Sequence, residues 1–179
     1  MESLPTALPS SAPLIVTATL PAALQGRAEG LRRAHFPPER NHLSAHVTLF
    51  HALPGFVLEE ARQVLADLSR TRAAPVAQLD GLMDLGGGTA LRIRSEALLD
   101  LRADIADRFH GLLTAQDQAR PRLHVTVQNK VTRAEAKALQ AELATQSWDA
   151  PFSFAGLALH HYRGGPWEAA GAWSFRGRG

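Results

Sequence analysis

The chain has no cysteine, only two methionines, a single tyrosine and only two lysines, Lys130 and Lys137, among its 179 residues. Without cysteine, disulfides and thiolate metal sites are excluded, which fits a reducing compartment. No apolar run approaches the ~20 residues that a membrane-spanning helix needs, so no membrane partner is expected. The residues before the apolar stretch 14–20 lack a basic n-region, so no secretory signal is expected and the cytoplasm is the expected location. Residues 1–12 hold several serines and prolines and read as a loosely packed tail. An excess of one charge is also missing. The formal net charge is +2, too little to announce a broad basic surface for nucleic acid. With 45% apolar and 20% charged residues, the composition is that of an ordinary globular chain long enough to bury a core.

What the chain does have is a repetition. Ala45-His46-Val47-Thr48-Leu49-Phe50 is answered by Leu123-His124-Val125-Thr126-Val127-Gln128. Both stretches are short, β-branched and alternating, the pattern of strands. Successive strand side chains point to opposite faces, so each histidine shares a face with the threonine two positions on, while the intervening apolar residues turn inward. Imidazole titrates near neutral pH and both takes and gives protons. Two of them facing one point, one neutral and one protonated, suit proton transfer on opposite sides of a phosphorus. The threonine hydroxyls suit charge developing on its non-bridging oxygens. The same alternation puts Arg122 beside His124, as a phosphate neighbour, and Phe50 beside Thr48, as a surface on which a nucleobase could stack.

The paired His-apolar-Thr-apolar signature resembles that of the two-histidine phosphoesterases, also called the 2′-5′ RNA ligase family. The resemblance implies an α+β fold that is bilobal and pseudo-twofold, with two antiparallel sheets lining a central cleft and helices packed outside. It implies metal-free hydrolysis of 2′,3′-cyclic phosphate ends of RNA or nucleotides to 2′-phosphates, with no cofactor. His46 and His124 carry over as the acid–base pair, with His124 as base and His46 as acid, and Thr48 and Thr126 as phosphate ligands. An aromatic near the final hairpin carries over as Tyr162. The expected partners are RNA ends or cyclic nucleotides, met by a monomer. Two other readings stay open: the same site run in reverse as a 2′-5′ RNA ligase, and an RNA-binding protein with only incidental activity.

The order of elements also repeats. A strand at 14–20, a helix at 22–35, the first motif strand, a helix near 57–72 and a strand at 75–84 make one series. A strand at 90–95, a helix near 97–114, the second motif strand, a helix opened by the capping box Thr132-Arg133-Ala134-Glu135 and a strand at 152–162 make the next. Residues 13–179 are expected to form one bilobal domain from repeats at about 13–85 and 89–162, with a final hairpin strand to 176. Gly86-Gly87-Gly88 reads as a tight turn, since it lacks the lysine and following helix of a phosphate-binding loop. A metal site is not expected. No acidic residue stands near either motif in sequence, and the adjacent His160 and His161 would face opposite ways along a strand.

Overall fold

The computed structural model describes residues 12–178, so the expected tail lies almost wholly outside the described residues. The elements are β1 (Leu14–Thr19), α1 (Ala22–His35), β2 (Val47–Leu53), α2 (Leu58–Thr71), β3 (Val76–Asp84), β4 (Thr89–Arg94), α3 (Glu96–Arg108), α4 (Ala115–Gln118), β5 (His124–Gln128), α5 (Arg133–Leu143), β6 (Asp149–Ser153), β7 (Gly156–His161) and β8 (Glu168–Ser174). The strands form two four-stranded antiparallel sheets, ordered β2-β1-β7-β8 and β5-β4-β3-β6. This is the expected α+β architecture, with one histidine motif on an edge strand of each sheet.

The sequence repeats do not coincide with the sheets. The first repeat supplies β1 and β2 to one sheet but sends β3 to the other. The second supplies β4 and β5 and sends β7 back. The single strand expected over 152–162 is therefore two. β6 pairs with β3, and after Phe154 and Ala155 the chain continues as β7 beside β1. A straight strand could not serve two sheets, and the break falls where Phe154 is buried in the core.

Local chemistry sets the ends of the helices. Pro21 precedes α1, and Pro37 and Pro38 stop the chain from continuing it. The Ser95 hydroxyl accepts from the Leu98 N–H at the start of α3. Thr132 and Glu135 make the reciprocal capping box at α5. Helix α3 ends six residues earlier than its apolar spacing suggests. The chain turns at Gly111, whose φ of +83° favours glycine, and a Thr114 cap then opens the short α4. The glycine turn after β3 is as expected. Gly86 has a φ of +81°, and a Cβ at Gly88 would strike the Gln128 carbonyl.

Both motif strands carry the same irregularity. In β2, Thr48 is opposite Thr17 but Phe50 is opposite Val16, so Leu49 is an extra residue. In β5, Thr126 is opposite Ala90 but Gln128 is opposite Thr89, so Val127 is extra. A bulge of this kind breaks the two-residue alternation. Phe50, expected on the cleft face with Thr48, is instead wholly buried, and Gln128 turns inward to accept from the Thr89 hydroxyl at 3.1 Å. Phe50 is thus a core residue with no face left for a nucleobase.

Candidate active site

Each histidine is fixed by its own strand. His46 Nδ1 lies 2.7 Å from the Ser44 carbonyl, and His124 Nδ1 lies 2.6 Å from the Arg122 carbonyl. A carbonyl only accepts, so both Nδ1 atoms carry the hydrogen and both Nε2 atoms are left for chemistry. The two rings, with Thr48 and Thr126, line one cavity of about 240 Å³ between the sheets. Neither threonine hydroxyl has a hydrogen-bond partner among the described residues. The sequence-predicted quartet therefore comes together, and Arg122 lines the same cavity.

Behind the quartet each half braces the other. Arg32 of α1 donates to the Thr126 carbonyl at 2.7 Å and to Asn41 Oδ1 at 3.2 Å. Arg102 of α3 donates to the Leu49 carbonyl at 2.9 Å and to the Asp117 carbonyl at 2.5 Å. Both side chains are buried, and both satisfy carbonyls at or beside the bulges, where ladder hydrogen bonds are disrupted. Helix α1 also sets the approach to the first motif. Glu29 accepts from the Ala45 N–H and Gln25 donates to the Ala45 carbonyl.

A third histidine meets the cavity. His51, just past the first bulge, lines it, and its Nδ1 lies 3.1 Å from Asp117 Oδ1. Asp117 is 1% exposed and also accepts the backbone N–H groups of His51 and Ala52. Burial pushes its pKa up, but these hydrogen bonds and the imidazole outweigh it and hold the carboxyl below its ordinary range.

The surroundings of His46 differ from those of His124. Trp167, in the β7–β8 connection, sits with its ring 4.8 Å from the His46 ring and 5.4 Å from that of His160. Burial lowers the His46 pKa. Its bond to Ser44 opposes the shift, and nearby Arg32, His160 and His124 add to it. His160 is lowered as well, by burial. On this side the cavity gives way, across His46, to a groove of about 510 Å³ whose floor includes Thr17, Thr19, His160 and Trp167 and whose lining holds no Asp, Glu, Lys or Arg.

A family model described as the 2′-5′ RNA ligase superfamily matches residues 20–166. The chain belongs to this superfamily. Its fold agrees with solved structures. TT0787 of Thermus thermophilus matches at a TM-score of 0.64, with 16% identity over 93% of this chain and 100% of that one. LigT of E. coli, complexed with NADP+, matches at 0.59, with 18% identity over 93% of this chain and 99% of that one. A further structure described as a phosphoesterase matches at 0.57, with 19% identity over 93% and 99%. No curated protein sequence matches the chain.

Within this superfamily fold, Tyr162 does not take the place expected of it. It is 47% exposed and lines neither the cavity nor the groove. The hairpin aromatic that reaches the site is Trp167, five residues on. Trp167, His160, His51, Asp117 and the two buried arginines escape a reading of the sequence motifs. For the arginines a signal exists: Arg32 stands four after Ala28 and Arg102 four after Leu98, each inside the apolar stripe of its helix. Asp117 is 66 residues from His51, and no spacing announces that pair. No group of three or more His, Cys, Asp or Glu is placed to hold a metal ion among the described residues.

Proposed function

We propose that this chain is a phosphodiesterase that opens 2′,3′-cyclic phosphate ends of RNA or nucleotides to 2′-phosphates by paired-histidine acid–base catalysis. The observation that carries this reading is the matched tether. Two imidazoles, each with Nδ1 bound to the carbonyl two residues before it, leave two Nε2 atoms and two threonine hydroxyls in one cavity. LigT, which shares the fold, has been solved with 3′-AMP, with ATP and with phosphate, which supports a nucleotide phosphate in the cavity.

In this mechanism one Nε2 takes a proton from water as the water oxygen bonds to phosphorus. The P–O3′ bond breaks in line, and the departing oxygen takes the proton carried by the other Nε2. Thr48 and Thr126 donate to the non-bridging oxygens, and Arg122 offsets their charge. The lowered pKa of His46 favours its neutral form, the form a base requires. Which histidine takes the proton is set by the side from which water enters, and the other then gives its proton to O3′. Trp167 offers an indole face to the terminal base.

The test is turnover of a cyclic mononucleotide, with the product identified by which hydroxyl keeps the phosphate. A 2′-phosphate, formed with a bell-shaped pH dependence of kcat/KM and insensitive to chelator, is the expected result. A 3′-phosphate, or activity that depends on an added divalent ion, overturns the reading.

A further inference from the structure

The second lobe also has a groove running from the cavity, and its chemistry is opposite to that of the first. It encloses about 370 Å³ and shares Arg120, Pro121 and Arg122 with the catalytic cavity. Strand β4 supplies its floor. Leu91 and Ile93 are buried beneath the sheet, while Arg92 and Arg94 are left on the open side. Arg92 is directly opposite His124 in the ladder, so the two side chains share a face and are near neighbours. Arg94 lies one step farther out.

The charge in this groove is not cancelled. Arg94 stands 4.0 Å from Asp80, and Arg120 stands 3.5 Å from Glu96. Both pairs are solvent-exposed and so weak. Arg92 and Arg122 make no ion pair among the described residues. Four guanidinium groups therefore face two carboxylates in this lining, in a chain whose formal net charge is only +2. A surface with no general surplus of positive charge concentrates one here, in a line leading away from His124. Planar guanidinium forks at successive positions suit the oxygens of successive phosphates.

We propose that this arginine groove holds the phosphodiester backbone of a single-stranded RNA whose cyclic 3′ end lies between the two histidines. The terminal base then occupies the uncharged groove beside Trp167, and the strand leaves over Arg122, Arg92 and Arg94. The preferred substrate is an oligonucleotide rather than a free cyclic nucleotide. The inference rests on the phosphodiesterase reading above and adds a substrate class to it.

The test compares the unaltered chain with an Arg92→Gln, Arg94→Gln double variant on cyclic-ended substrates of one, two, four and six nucleotides. For the unaltered chain, kcat/KM should rise about tenfold or more from one nucleotide to four and then level off. The variant should keep the mononucleotide rate within about twofold and lose most of that gain. The slope of log(kcat/KM) against log salt on the tetranucleotide should fall by about 0.7 for each arginine removed, a readout that a merely structural role would not move. Equal rates at every length, or a length advantage that survives in the variant, overturn the proposal. So does a cyclic mononucleotide bearing a 5′-diphosphate that matches the tetranucleotide, since the groove would then read a short polyanion and not a strand. Failure to turn over a cyclic end of any length overturns the phosphodiesterase reading instead. In that case, anisotropy of a labelled tetranucleotide with a 3′-phosphate still tests the groove, because the variant should bind it about tenfold more weakly, and equal binding overturns the groove proposal.

Discussion

The two lobes share their scaffold and differ in what they put around it. Each has a histidine tied to the carbonyl two residues back, an extra residue directly after the threonine, and a buried arginine reaching in from the opposite half. Yet His46 lies under an indole beside an uncharged groove, whereas His124 lies opposite Arg92 in the ladder, at the head of a groove lined by four arginines. The two lobes share the devices that aim the imidazoles and differ in the residues that surround them. Aim is thus a property of the backbone, while the neighbours change from lobe to lobe.

That comparison breaks if either histidine is dispensable. His46→Ala and His124→Ala should each lower kcat by about 10²- to 10⁴-fold in single-turnover assays. The double variant should lose little beyond the worse single one, because acid and base act in one step. A variant retaining near-full rate with one histidine gone would make that copy of the motif ornamental. The next largest effect is on the hydroxyls. Thr48→Ala and Thr126→Ala should each cost about 10²-fold or somewhat less, mainly in kcat. A loss confined to one of them would show that the phosphate leans on one lobe.

The braces come third, and they report on stability. Arg32→Met and Arg102→Met each strip a donor from a buried carbonyl, at a cost of about 1–3 kcal/mol per unsatisfied group in urea unfolding. Arg102 serves two carbonyls and Arg32 only one, so Arg102→Met should be the more damaging. Equal losses would mean that the Asn41 contact is worth as much as a second carbonyl.

The smallest effect separates the environments of the lobes by pH. Burial lowers the pKa of His46 and of His160 below the ordinary 6.5. As pH falls through about 6.5, the unfolded chain takes up protons that the folded chain refuses. Stability contributed this way is therefore present above that range and lost on the acid side. Melting temperature should drop between about pH 7 and pH 5, and the drop should flatten in His46→Gln and in His160→Gln. An unchanged slope in both would show that the burial on this side is too leaky to matter.

Much of this is legible in the chain. Two identical tripeptides within a repeated order of elements point to two like strands, and the apolar spacing of 22–35 and the capping box at 132–135 give helices at the right places. The misses have one cause each. Phe50 is misplaced by an alternation that one extra residue reverses, and a bulge leaves no mark when the inserted residue, Leu49, is as apolar as its neighbours. The stretch 152–162 reads as one strand because both pieces are apolar and extended, and only their partners differ. Tyr162 and Trp167 are both hairpin aromatics flanking a turn with Gly164 at φ of +86°, and no local pattern tells which of them lies beside His46. The pairing of His51 with Asp117 depends on packing between distant segments, which no local pattern encodes.

The short link between β6 and β7 has a consequence of its own. The Phe154 N–H is bonded to the Pro75 carbonyl beside one sheet, and the Ala155 N–H to the Thr19 carbonyl of the other, while the Ala155 carbonyl receives the Phe175 N–H. Successive peptide groups thus rivet the two sheets together, close to the crossing where each half lends a strand to the other. Such a joint resists the hinge opening by which many two-lobed proteins admit their ligands. The spacing of the two histidine motifs, one on an edge strand of each sheet, is thereby set by backbone bonds that lie outside the cavity.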